Sequence, residues 1–199
     1  MLILAFDTAT DVATSALVRD GEVLGERVSR AVRVLDDFEH LLREAGFEAD
    51  DVEGIVVGRG PGSYTGLRMG LVTARTLSFS LGVPVSGVST LAALAAGVPG
   101  AAPVIDGRRG EVFVLADGEP TCVAAEKLRV ESGRTYLGDG AVRYRVRLEE
   151  AGGLVPPGDD PVHLPWACHH AALAGDFGAA EDIEPIYLRL PDAERALRR

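Results

Sequence analysis

The chain has 199 residues, of which 47% are hydrophobic and 25% are charged, and this is the composition of an ordinary globular protein. The formal net charge of −10 argues against a protein that binds nucleic acid on its own, because phosphate contacts need clustered Lys and Arg. Two cysteines exclude a disulfide scaffold, and no stretch of about 18 apolar residues is present to span a membrane. We therefore expect a cytoplasmic protein of one large or two small domains.

Three strands are predicted at the start of the chain. Residues 2–6 form a continuous apolar run. Residues 12–19 and 22–30 flank Asp20-Gly21, a pair that strongly indicates a tight hairpin between two strands. The pattern predicts a three-stranded meander.

A polar turn follows the first of these strands and carries Asp7, Thr8 and Thr10. An Asp at the carboxyl end of the first strand is where α/β folds often hold a ligand or a metal ion. The competing interpretation is an Asp that caps the turn by accepting hydrogen bonds from the next backbone N–H groups. Both interpretations stay open at this point.

A helix is predicted over residues 34–45, where the apolar residues recur at helical spacing. The stripe includes Leu35, Phe38 and Leu42, and charged residues occupy the opposite side. Gly46 is a natural C-terminal stop.

The densest motif runs from Gly58 to Gly70, after an apolar strand at residues 52–57. Its turn contains the candidate anion-binding residues Gly60, Gly62, Ser63, Thr65 and Gly66. Free N–H groups at a helix N-terminus suit a phosphate. However, the spacing fits neither a dinucleotide fingerprint nor a nucleophile elbow, and the Lys that a Walker loop requires is missing here. The competing interpretation is a tight turn in which Ser63 or Thr65 caps the helix.

The helix predicted over residues 67–81 has two faces. One is apolar and faces the core. The other carries Arg68, Val72, Arg75 and Phe79 at steps of four, three and four. Arg and aromatic side chains are favoured at protein interfaces, so this face predicts a partner surface. The alternative is that Val72 and Phe79 cover the sheet while the arginines reach solvent.

The second half of the chain starts after Gly97-Val98-Pro99-Gly100, which is the best linker candidate. We therefore predict an N-terminal domain over residues 1–100 and a smaller one over 101–199, with a tail that packs back on the first. Residues 102–106 and 111–115 predict a hairpin with an Arg-rich tip, in which Asp106, Arg108 and Glu111 form a local ion-pair network. Residues 128–130, 135–137 and 141–148 are weaker strand or helix candidates, residues 155–165 predict a loop, and residues 169–174 predict a helix.

Catalytic constellations are hard to find. The four histidines include no His-x-x-x-His pair, so no helix carries a two-histidine metal site. His169 and His170 are predicted to be surface or hydrogen-bonded groups. We predict no metal site and no intrinsic cofactor.

Several segments in the same order resemble one family, the TsaB (YeaZ) proteins. The resemblance runs nearly end to end and is therefore more specific than any single motif. Its segments are Ile3 to Thr10, Gly60 to Gly70, Gly87 to Leu91, Asp106 to Phe113, and Pro185 to Arg189 with Ala193-Glu194.

The resemblance implies a two-lobed α/β fold of the actin, sugar kinase and Hsp70 type (ASKHA), with mixed sheets flanked by helices. It implies a non-catalytic scaffold role in forming N6-threonylcarbamoyladenosine at position 37 of tRNA. The implied partners are a TsaD-like catalytic subunit and a TsaE-like ATPase, with tRNA and ATP/Mg engaged only at the level of the complex. The first two helices would carry the partner contacts, through Leu35, Phe38, Leu42, Arg68, Val72, Arg75 and Phe79.

One departure from the family pattern concerns residues 31–33, where Ala-Val-Arg replaces the usual His-Ser-Glu. A second hypothesis is a stand-alone ATPase or small phosphotransferase of the same superfamily, in which Asp7, Thr8, Thr10 and the turn at residues 60–66 would hold phosphates and Mg²⁺. A homodimer of the free chain is a further expectation, because a helix face of apolar and Arg residues can pair with itself.

Overall fold

The computed structural model describes residues 1–189, which form nine strands and six α-helices. In chain order these are β1 (Leu2–Asp7), β2 (Ala13–Arg19), β3 (Glu22–Ser29), α1 (Val34–Ala45), β4 (Gly54–Gly58), α2 (Tyr64–Leu81), β5 (Val85–Val88), α3 (Thr90–Ala96), β6 (Ala102–Arg108), β7 (Glu111–Ala116), β8 (Glu119–Ala124), β9 (Tyr136–Leu137), α4 (Asp139–Arg143), α5 (Arg145–Glu150) and α6 (Ala167–Ala172).

The first sheet has five strands in the order β3-β2-β1-β4-β5. The strand β1 pairs antiparallel with β2 and parallel with β4, which in turn pairs parallel with β5. Successive side chains of β1 point to opposite faces, as a strand requires. Leu4 and Phe6 pack with α1 and α2, whereas Ile3 and Ala5 pack with α6. The sheet therefore lies between two helical layers.

The second sheet has four strands in the order β8-β7-β6-β9 and is also mixed, since β6 and β9 are parallel. Val104 and Val112 pack with α4 and α5 on one face. Ile105 and Phe113 pack with α3 on the other. The helix α3 thus connects the two sheets and covers the second.

The C-terminal segment, residues 178–189, returns along the first sheet and then reaches the second. Gly178 exchanges two backbone hydrogen bonds with Val85 at the edge strand β5. Arg75 of α2 donates to the carbonyls of Ala180 and Ile183. At the far end, Arg189 donates to the carbonyl of Gly107 in β6. This segment ties both sheets together, while the domain boundary near residue 100 stays a prediction.

Most predicted elements of the first half are confirmed, including the meander, the Asp20-Gly21 turn and the bounds of α1. The helix α2 begins at Tyr64, three residues before the predicted start, because Ser63 accepts a hydrogen bond from Gly66 N and caps it. No helix among residues 1–189 is long and apolar enough to cross a membrane.

The second half contains the errors as well as some confirmed elements, among them the helical alternative for residues 141–148. The strand β8 is missing from the prediction, and residues 128–130 form no strand. Residues 141–148 fall in the two short helices α4 and α5. The hairpin of β6 and β7 is confirmed, and so is a helix at α6, two residues earlier than predicted. Ala193 and Glu194 lie outside the described residues.

Candidate functional site

A cleft of about 430 Å³ opens between the glycine turn and the second sheet. Its first wall is formed by residues 9–11 and 62–65, which follow β1 and precede α2. Its second wall comes from residues 105–108 and Asp139, and residues 186–189 close one end. The turn after the first strand, the glycine motif, the Arg-rich hairpin and the C-terminal segment therefore meet at one place.

The predicted phosphate-binding residues divide into two layers. Thr10, Gly62, Ser63 and Thr65 line the cleft. Asp7, Thr8, Gly60 and Gly66 are buried below it.

Asp7 is fully buried, and both of its carboxylate oxygens have partners within the protein. Its Oδ1 accepts a hydrogen bond from Ala9 N at 2.6 Å, which is the turn-capping arrangement. Its Oδ2 accepts one from the Thr90 hydroxyl at 2.6 Å. His170 Nε2 also lies 2.9 Å from Oδ2, although it is not aligned for a hydrogen bond. Asp7 therefore joins β1, α3 and α6 below the cleft.

The glycines of the motif allow the start of α2 to approach the turn after β1. A Cβ at Gly62 would lie 2.2 Å from Ala9 O, and one at Gly66 would lie 2.0 Å from Thr8 O. Thr8 in turn donates its hydroxyl proton to Gly66 O at 2.8 Å. Close packing of backbone on backbone accounts for these two positions without a ligand.

The second wall is ionic. Arg108 bridges Asp11 at 2.5 Å and Asp106 at 3.3 Å, and Arg143 lies 3.4 Å from the same Asp106. Asp139 accepts a hydrogen bond from Asp106 N at 2.9 Å. Burial, together with the negative charge of Asp106, raises the pKa of Asp139. The predicted ion pair of Asp106 with Arg108 is present, whereas Glu111 pairs with Arg189 at 3.1 Å.

The mouth of the cleft carries two tyrosines. The rings of Tyr64 and Tyr187 lie 5.1 Å apart between centroids, and Arg68 lies over the Tyr64 ring at 5.2 Å. Arg68 also donates to the Tyr64 hydroxyl at 3.1 Å. Partial burial raises the pKa of Tyr187. The mouth is therefore directly connected to the exposed side of α2.

A second candidate site is the exposed face of α1 and α2. Phe79 is 90% exposed, Val72 60% and Leu35 57%, and Val32, in the turn before α1, is 73% exposed. This contradicts the alternative in which Val72 and Phe79 cover the sheet. We call Arg68, Val72, Arg75 and Phe79 the outer face of α2.

Three residues predicted for the partner surface have intramolecular roles. Phe38 is 3% exposed and packs edge-on against Phe6 at 5.3 Å, so it belongs to the core rather than to an exposed surface. Leu42 is 8% exposed and, with Phe38, lines a groove of about 510 Å³ between α1 and α2. Arg75 is exposed but holds the C-terminal segment.

The sequence did not predict that Tyr187, Arg189 and Asp139 lie in the same cleft as the glycine turn. These residues are distant along the chain, and no local pattern links them. Among residues 1–189, no group of three His, Cys, Asp or Glu side chains is arranged to hold a metal ion.

The arrangement of two mixed sheets with helices on their faces and a cleft between them defines an α/β protein of the actin and sugar kinase type. Component A of (R)-2-hydroxyglutaryl-CoA dehydratase from Acidaminococcus fermentans shares the fold, with a TM-score of 0.50 and 11% identity over 85% of this chain and 97% of that chain.

More specific similarities exist. YeaZ from Pseudomonas aeruginosa aligns with a TM-score of 0.76 and 30% identity over 94% of this chain and 99% of that one. The tRNA threonylcarbamoyladenosine biosynthesis protein TsaB of Bacillus subtilis is 39% identical over 98% of this chain and 96% of its own length. The TsaD family, tRNA N6-adenosine threonylcarbamoyltransferase, matches residues 15–138. The chain belongs to the TsaB (YeaZ) family.

Proposed function

We propose that this chain is a scaffold subunit in the formation of N6-threonylcarbamoyladenosine at position 37 of tRNA. Its partners are a TsaD-like catalytic subunit and a TsaE-like ATPase, and tRNA is engaged only through the complex. Family membership supports the pathway, since the Bacillus subtilis relative carries that biosynthetic name. The match of residues 15–138 to the TsaD family supports a related partner.

The observation that carries the scaffold role is the exposure of Phe79. A large aromatic side chain that is 90% exposed on a well-formed helix gains free energy when a partner covers it. Val72 lies on the same outer face, and Leu35 on α1 and Val32 in the turn before α1 are also exposed apolar side chains. Arg68 adds a cation beside it. Aromatic and Arg anchors of this kind dominate protein interfaces.

The cleft supports a non-catalytic role for the chain alone. The carboxylate of Asp7 is occupied by Ala9, Thr90 and His170, and the glycines accommodate the protein backbone. The Asp7 carboxylate is therefore not presented to a phosphate group in the cleft. In this proposal, ATP and Mg²⁺ act only at the level of the complex.

The test is size-exclusion chromatography with light scattering, on this chain alone and mixed with the TsaD-like protein from the same source. We expect a heterodimer whose affinity falls by roughly 30-fold or more in Phe79→Asp, the loss typical of an interface hot spot. Val146→Asp is the matched control, because Val146 is 68% exposed on the distant helix α5. It should bind like the parent chain.

Two outcomes would count against the proposal. Absence of a mixed peak at micromolar concentration would contradict the proposed binding to a TsaD-like partner. Equal losses of affinity in Phe79→Asp and Val146→Asp would show that the outer face of α2 is not the contact surface. The chain measured alone also reports whether the same face forms a homodimer, which Phe79→Asp would then dissociate.

A further inference from the structure

Arg59 lies at the carboxyl end of β4, where its backbone is fixed on both sides. Its N–H donates to Val88 O at 2.9 Å, and its carbonyl accepts a hydrogen bond from Ile186 N at 2.7 Å. The start of the Arg59 side chain is therefore held between β5 and the C-terminal segment. It lies against Gly87, where a Cβ would come within 3.3 Å of Arg59 Cδ.

The guanidinium of Arg59 has no acceptor among the residues that the structure describes. Its Nε is buried without a hydrogen-bond partner. Arg75 and Arg145, by contrast, both donate to backbone carbonyls. An unpaired and partly desolvated guanidinium costs free energy, and an acceptor that reached its terminal nitrogens would recover part of that cost.

Arg59 lines a notch of about 360 Å³ between the start of α3 and the hairpin of β7 and β8. The apolar part of the wall comes from Ala92, Leu115, Pro120, Ile186 and Leu188. Two further polar residues face it. Ser89 accepts a hydrogen bond from Ala92 N, which leaves its hydroxyl proton available to donate. Glu119 is the acidic residue of the lining, and it lies beyond ion-pair distance of Arg59 in the described structure.

We propose that the notch binds a carboxylate carried on a short apolar stem. The planar guanidinium matches the two oxygens of a carboxylate, the Ser89 hydroxyl adds a donor, and the apolar wall receives the stem. Such a group occurs as a free organic acid or as an acidic side chain of a bound protein. The site lies apart from the outer face of α2 and does not depend on the scaffold role.

The test is NMR titration of the full chain, following the Nε–H signal of Arg59 while sodium butyrate is added at neutral pH. We expect a saturable shift with a dissociation constant on the order of 1 mM, as suits a ligand of so few atoms. Acetate should bind more weakly, because it lacks the stem. Arg59→Gln should abolish the backbone shifts around Ser89, whereas Arg129→Gln, at an exposed arginine elsewhere, should not.

Two further variants keep the test decisive if Arg59→Gln is unstable. Arg59→Lys keeps the charge but loses the planar fork, and it should weaken butyrate binding. Glu119→Gln removes the repulsive charge from the lining, and it should tighten butyrate binding by about threefold. If the affinity for butyrate were unchanged in both variants, the proposed site would be wrong.

The source of the carboxylate is distinguished with acetyl-Ala-Glu-Ala-amide. Tighter binding of this peptide than of butyrate identifies a side chain of a partner, and weaker binding identifies a free acid. Equal shifts with butyrate, acetate and inorganic phosphate would overturn the proposal, since only unspecific charge attraction would remain. Absence of any saturable shift would do the same.

Discussion

The two faces of α2 differ sharply although they share one helix. On the inner face, Gly66, Leu67, Gly70, Leu71 and Ala74 are all buried. On the outer face, Val72 and Phe79 are among the most exposed apolar side chains of the described residues. Polarity alone does not separate the two faces, because both contain large apolar groups. The difference shows that the inner face packs against the first sheet, whereas the apolar side chains of the outer face, Val72 and Phe79, remain exposed to solvent.

The sharpest test of this contrast is a pair of adjacent residues. Leu71 is 5% exposed and Val72 is 60% exposed. Leu71→Ala leaves a cavity in the core and should lower the free energy of unfolding by about 3 kcal/mol. Val72→Ala should change it by less than about 0.5 kcal/mol. Urea unfolding followed by circular dichroism measures both, and similar losses in the two variants would mean that the outer face is also packed.

Gly66→Ala should give the next largest effect. Ala favours an isolated helix over Gly by about 1 kcal/mol, so propensity alone predicts stabilisation. The new Cβ would however lie 2.0 Å from the Thr8 carbonyl, and we expect a net loss of about 2 kcal/mol. Gly175→Ala is the control, because nothing lies within 4 Å of a Cβ there. A gain in stability in Gly66→Ala would show that the contact of α2 with the turn after β1 is looser than described.

The smallest expected effect on stability concerns Asp139, in the ionic wall of the cleft. The folded protein raises the pKa of Asp139 above its ordinary value, chiefly through burial. The folded state therefore binds this proton more tightly than the unfolded state, and stability is lost as the pH rises through the raised pKa. Asp139→Asn keeps an oxygen acceptor for Asp106 N but cannot ionise.

We expect Asp139→Asn to stabilise the chain by about 0.5 kcal/mol at pH 7 and to have no such advantage below the ordinary carboxyl pKa. Thermal unfolding at neutral and acidic pH measures the difference. An advantage that is larger in acid than at pH 7 would contradict the assigned direction of the shift.

The sequence predicted the first half of the fold because its signals are local. The apolar stripe of α1, the Asp20-Gly21 turn and the Ser63 cap each act within a few residues. In the second half, β8 contains Pro120 and lacks regular alternation, so its period gives no strand signal. Only Tyr144 separates α4 from α5. The two short helices therefore form one continuous pattern in the sequence.

The candidate sites were predicted only in part. The outer face of α2 could be read from helical spacing, but Phe38 could not be assigned to the core without knowing that Phe6 lies opposite. In the same way, Asp7 was identified as a strand-end carboxylate, while its partners Thr90 and His170 come from elements far along the chain. Tertiary contacts of this kind leave no periodic trace in the sequence.

The position of α6 has a consequence for synthesis on the ribosome. This helix covers one face of the first sheet. Ala167 and its neighbours pack there against Ala5, Ala16, Val18 and Val56. The strands of this sheet emerge first, and α6 emerges only after all strands of the second sheet. The nascent chain therefore exposes an apolar sheet face while the second sheet is being made, and its cotranslational folding needs either a chaperone or a delay until α6 leaves the exit tunnel.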